Sequence, residues 1–224
     1  MRKKIISDIR LFKTNAQTEF GAISFGKKDL LAIVKRIVMK LRENQFSFGE
    51  FDHLYINFTT SDLPQNILLS ENVDRYHPWY RYCDIHIEKD LYEKLGAPET
   101  YNHIIQSIST VLVAYFATED FDASKILACV QQAVELGEKM LMKFKEKETS
   151  KCKAVVFLRF LDTCRFFPLL RVYDVSGNLL FERDLPETVT FDFLGEIQVS
   201  TKRVTIKPRK NAFTAQSVPL VFDY

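Results

Sequence analysis

Glycine and proline are scarce in this chain, at seven each in 224 residues. So few chain-breakers exclude a collagen-like, low-complexity or linker-dominated protein and point to a well-packed fold. Cysteine is scarcer still. Cys83, Cys129, Cys152 and Cys164 are widely spaced with no CxxC pair, which reads as free thiols in a reducing compartment rather than a disulfide framework, a Cys152–Cys164 bridge between adjacent strands being the less favoured alternative. Long hydrophobic runs are missing too: nothing approaches the ~18 uninterrupted apolar residues of a membrane span. The opening MRKKIISDIRLFK has the basic start of a secretory signal, but Asp8 and Arg10 interrupt its apolar run, so a cytoplasmic location is expected. Asn57-Phe58-Thr59 matches a glycosylation acceptor, which carries no meaning for a cytoplasmic chain. There is little charge of either sign in excess, +2 in all, which argues against a generally polyanionic partner.

Motifs that carry chemistry are absent as well. No GxSxG nucleophile elbow, GxGxxG loop, Walker A loop or recognised zinc or calcium spacing occurs. The sequence therefore leads to no catalytic residue, no metal and no cofactor. A length of 224 residues allows one or two domains, and 46% hydrophobic against 27% charged residues are ordinary globular values. Phenylalanine, at 19, is unusually common.

The richest stretch is YHPWYRYCDIHIE, residues 76–88, which holds the single Trp and two of the four His. As a strand it sends alternate side chains to opposite faces. Trp79, Arg81, Cys83, Ile85 and Ile87 make one largely core-like face. Tyr80, Tyr82, Asp84, His86 and Glu88 make an aromatic and ionisable row that no core requires. Rings and charge-assisted donors in such a row suit binding. A second strand is expected over residues 51–60, FDHLYINFTT, with Leu54, Ile56 and Phe58 on one face and His53, Tyr55, Asn57 and Thr59 on the other. If the two strands pair, His53, Tyr55, Asn57, Tyr80, Tyr82, Asp84 and His86 form one patch. The loop over 61–76 leaves the register open.

Around these strands the periodicity predicts a strand near residues 5–12 and an amphipathic helix over 28–43. That helix has Leu30, Leu31, Val34, Ile37, Val38 and Leu41 as its stripe, and Lys35, Arg36, Lys40 and Arg42 turned mostly to water. A helical hairpin is expected next, one helix opening at Pro98 and a second running over 123–147 from Asp122 as N-cap. The tract KEKETSK then marks a composition shift, giving expected regions of 1–150 and 151–224, packed as two domains or as one. Short strands are predicted at 154–160, 166–174, 179–184, 189–193, 196–200 and 204–207, with a hairpin at 174–178. The fold class expected is α+β: N-terminal strands and an amphipathic helix, a long helical hairpin, and a C-terminal antiparallel β region.

Chemistry by these residues has competing readings. His53, Asp84 and His86 could serve as general acid and base, with Arg81 for an anionic phosphodiester. The same three could ligate a metal, though so generic a spacing favours plain hydrogen bonding. The basic run Lys202, Arg203, Lys207, Arg209 and Lys210 could meet nucleic acid, but it reads more simply as an edge strand guarded by charge. A homo-oligomeric scaffold, with the patch as a self-interface, is a further alternative.

FGAISFGKKDLLAIVKRI, then DHLYINFTT, then HPWYRYCDIHI ahead of a helix, and later PLLRVYDVSGNLLFERDLPE, are together similar to immunity proteins of bacterial polymorphic toxin systems. The resemblance spans residues 20–190. It implies a cytoplasmic protein that binds and blocks a cognate, secreted toxin domain without a cofactor. By that analogy the contacts include His53, Tyr55, Trp79, Arg81, Tyr82 and Asp84. Many inhibitors of basic nucleases are strongly acidic, and a chain at +2 departs from that pattern.

Overall fold

The computed structural model describes residues 3–15, 23–211 and 217–224. The chain divides into two compact units, Met1–Gly137 and Glu138–Tyr224, and its class is α+β. The expected boundary at 150/151 falls inside one sheet of the second unit.

Three parallel strands form the centre of the first unit: β1 (Asp8–Thr14), β3 (His53–Thr59) and β5 (Tyr80–His86). Two short antiparallel strands, β2 (Ile23–Ser24) and β4 (Ile67–Leu69), close the edges in the order β2-β1-β3-β5-β4. Alternation decides the faces. Ile9, Leu11, Leu54, Ile56, Phe58, Cys83 and Ile85 are buried on the inner face.

Helix α1 (Lys28–Glu43) connects β2 to β3 and packs on both β1 and α4 (Ala123–Leu136). Contact on two sides widens its buried arc beyond a single stripe. Arg36, expected in water, is therefore only 3% exposed, whereas Leu31 is 39% exposed. A short α2 (Lys89–Lys94) follows β5, and α3 (Tyr101–Phe116) buries Ile104, Ile108, Val111, Leu112 and Phe116. Asp122 caps α4 as its sequence suggests, accepting a hydrogen bond from the Lys125 amide at 2.9 Å.

The second hairpin helix stops well short of residue 147. Gly137, at φ +51°, breaks α4, a short 3₁₀ turn follows, and residues Met142–Glu148 form strand β6. Lys143, Lys145 and Lys147 recur every second residue, a strand period that resembles a basic helix terminus only if the helix continues past Gly137.

The second unit has an antiparallel sheet β6-β7-β8-β9, with β7 at Cys152–Leu158, β8 at Leu169–Asp174 and β9 at Leu179–Asp184. The predicted 174–178 hairpin is present, with the Asp174 carboxylate accepting from the Ser176 and Asn178 amides. A three-stranded antiparallel sheet comprises β10 (Ile197–Val199), β11 (Arg203–Ile206) and β12 (Leu220–Asp223). Residues 189–193 form no strand; Phe191 instead packs its ring against Phe144 and Phe166 at 4.8 and 4.5 Å. Strand β11 is central rather than an edge. Its basic neighbours are paired, Arg203 with Asp223 and Lys207 with Glu196. All four cysteines are free thiols. Among the described residues no helix is long and apolar enough to cross a membrane.

Candidate functional site

The β3–β5 register places His53 opposite Tyr80, Tyr55 opposite Tyr82, Asn57 opposite Asp84, and Thr59 opposite His86. The two polar rows expected from the sequence thus share the outer face of one sheet. On their other side β1 adds Asp8 beside His53, Arg10 beside Tyr55, and Phe12 beside Asn57. This third row is an addition to the expected patch, although the alternation Asp8, Arg10, Phe12 against Ile9, Leu11 carries the same signal. Apart from Thr59, which is buried, these outer side chains are partly or fully exposed. Helices meet the sheet on its opposite side and at its margins: α2 through Tyr92 against Lys13, α3 through Tyr115 at the Ile67 carbonyl, and α1 against β1.

Aromatic contacts knit the face together. Tyr55 is its hub: its ring lies 5.5 Å from Phe12 in a stacked geometry, 4.7 Å from Tyr80 and 5.1 Å from Tyr82. Arg10 donates to the Tyr55 hydroxyl at 3.0 Å and is itself bound to Asp8 at 2.9 Å. Burial pushes the Tyr55 phenol up, reinforced by its hydrogen bond with Tyr80. At the near end, His53 sits 5.1 Å from Tyr80 and its Nδ1 lies 2.6 Å from Asp52.

The loop between β4 and β5 folds over one margin. Asp74 accepts from the amides of Tyr76 and His77 at 2.8 and 2.7 Å and from the Tyr82 hydroxyl at 3.0 Å. Those backbone hydrogen bonds, the His77 amide first, hold the Asp74 carboxyl below its ordinary range. Burial and the same Asp74 contact push the Tyr82 phenol up. His77 stacks flat on Tyr80, 4.6 Å between centroids at 7°. Asp74 and His77 are not among the expected site residues, because a loop has no periodicity to mark them.

Asn57 connects the three parallel strands. Its amide nitrogen donates to Thr14 Oγ1 at 3.1 Å and to Asp84 Oδ1 at 2.7 Å, while its own Oδ1 is buried with no partner among the described residues. A depression of about 410 Å³ opens here, lined by Phe12, Tyr55, Asn57, Ser70, Tyr82 and Asp84.

Two members of the expected site stand apart. Arg81 points to the opposite face and lies over the Phe51 ring at 5.0 Å, as strand alternation requires. Trp79 precedes β5 and is half-buried; its carbonyl accepts from Asp52 and His53, and Lys4 lies 5.5 Å from its ring. The acid–base grouping is also not assembled. His53 and His86 lie at opposite ends of the parallel pair, about 20 Å apart along the strands for six residues of rise. His86 instead directs Nδ1 to the Ser61 carbonyl at 3.0 Å. Among the described residues no group of three or more His, Cys, Asp or Glu side chains is placed to hold a metal ion. Cys83, on the inner face, is a poor nucleophile, its thiol pushed up to about 12 by burial.

No family model, curated protein or solved structure matches this chain.

Proposed function

We propose that this chain is a stoichiometric protein-binding protein, an immunity protein that neutralises a cognate toxin domain in the cytoplasm by covering its active site. The observation that carries the reading is the outer sheet face, where Phe12, Tyr55, Tyr80 and Tyr82 form a connected, partly exposed aromatic row beside Arg10 and Asp84. Aromatic and Arg side chains are enriched among the anchors of protein interfaces, and rings held by strand pairing lose little conformational entropy on docking. The geometry favours this over hydrolysis, because His53 lies far from Asp84 and His86 along the sheet. The resemblance of residues 20–190 to immunity proteins supplies the toxin as partner; the reading requires no cofactor.

The test is affinity capture from native cells with stoichiometry read by native mass spectrometry, followed by expression of the captured protein alone and with this chain. A partner at fixed ratio that arrests growth alone, is tolerated when co-expressed, and is lost with Tyr82→Ala supports the proposal. Self-association without such a partner, or substrate turnover abolished by His86→Ala, overturns it.

A further inference from the structure

The depression at the centre of the outer face combines features that suit one kind of occupant. Phe12, Tyr55 and Tyr82 supply aromatic walls, and Asp84 supplies a carboxylate. Tyr55 sits between the other two, 5.5 Å from Phe12 and 5.1 Å from Tyr82, so the ring faces are fixed by mutual packing and by strand pairing. Asn57 holds Asp84 through Oδ1 with a neutral amide. Among the described residues no cation pairs with Asp84. On the neighbouring strand Arg10 lies over the Tyr55 ring at 5.4 Å and is held there by Asp8 and the Tyr55 hydroxyl, so it neutralises Asp8 rather than Asp84. A second carboxylate, Asp74, accepts from the Tyr82 hydroxyl at 3.0 Å.

Aromatic faces attract a cation within about 6 Å of the ring centroid, and a desolvated carboxylate adds a charge-assisted hydrogen bond. An anion would meet Asp84 and the negative ring faces, and a purely apolar group would leave the carboxylate covered without a counter-charge. We infer that this depression receives a cationic side chain, lysine or arginine, projecting from the protein partner. The inference rests on the protein-binding reading above and specifies the partner's chemistry at that surface. A chain that is nearly neutral overall thus presents a locally anionic, aromatic socket at the middle of its binding face.

The test uses the full chain and three capped tripeptides, acetyl-Gly-X-Gly-amide with arginine, lysine or norleucine at X, titrated at millimolar concentration with NMR detection of aromatic and amide resonances. Saturable shifts of Phe12, Tyr55 and Tyr82 with the two cationic peptides, absent with norleucine, are expected. Asp84→Asn should weaken the response about tenfold, as loss of a charge-assisted contact does. Phe12→Leu, which alters one wall and leaves the Asn57–Asp84 contact in place, should weaken it as well. An equal response to norleucine, or none to either cationic peptide, overturns the inference.

The outcomes separate the two proposals. A toxin captured with unchanged affinity by Asp84→Asn leaves the binding reading standing and removes the cation. A specific cationic response with no toxin captured does the reverse.

Discussion

Asn57 donates to Asp84 at 2.7 Å across the β3–β5 pair and to Thr14 on the β1 side, so one side chain fixes the polar centre of a three-strand surface. Its chemistry is specific: the Asp84 carboxylate can only accept there, and the Asn57 amide supplies the donor. Asn57→Asp would oppose two carboxylates at hydrogen-bonding distance. We expect a loss of about 1–3 kcal/mol at neutral pH, the cost of leaving a buried polar group badly paired. Repulsion raises a folded carboxyl pKa above its unfolded value, so stability should return as the pH falls through that raised value. Urea unfolding of the variant and the parent at pH 7 and pH 4.5 checks both statements; a gap that persists unchanged at acid pH would refute the electrostatic cause.

Asp74 organises the loop that borders the face. Asp74→Ala should raise hydrogen exchange at the Tyr76 and His77 amides by about tenfold, because both lose their acceptor. In the parent the carboxyl is depressed by those amides. Its contribution is therefore fully present above the unfolded value of about 3.9 and is lost only as the pH falls through the lower folded value. Carboxyl-carbon NMR should show Asp74 titrating below the ordinary carboxylate range.

Partner affinity should divide along the two faces of the sheet. Tyr55→Ala removes the hub of the aromatic row and should cost about 2 kcal/mol or more in binding, the scale of an interface anchor. Arg81→Ala, on the opposite face over Phe51, should leave affinity nearly unchanged while lowering the unfolding midpoint. Calorimetric titration with the captured partner distinguishes them, and equal losses would contradict the assignment of faces.

In the second unit, Gly195 lies where a β-carbon would stand 2.5 Å from the backbone of Lys207 and Pro208. Backbone cannot swing aside as a flexible side chain does. Gly195→Ala should therefore destabilise this unit by about 1–3 kcal/mol, the usual cost of overpacking. Limited proteolysis should show earlier cleavage within Glu138–Tyr224, with Met1–Gly137 unaffected.

Much of the candidate surface is legible in the sequence. The alternation in residues 51–60 and 76–88 separates Tyr55, Asn57, Tyr82 and Asp84 from Leu54, Ile56, Cys83 and Ile85, because strand geometry is local and acts on every residue. The stripe of α1 and the Asp122 cap of α4 are legible for the same reason. Arg36 is not, because its burial depends on a second packing partner that periodicity along one helix does not reveal.

The sequence by itself determined which side chains share a face, since that follows from the backbone repeat. Tertiary structure decided which faces meet. Alternation within β3 or β5 carries no information on register, and the parallel pairing that sets Asn57 against Asp84 joins residues 27 apart through a loop that does not dictate it. The same non-local choice added β1 to the surface and parted His53 from His86. It also set residues 142–148 as a strand against β7 once Gly137 had ended the helix, because lysines at alternate positions fit the two-residue strand period and the partner strand supplies the backbone hydrogen bonds.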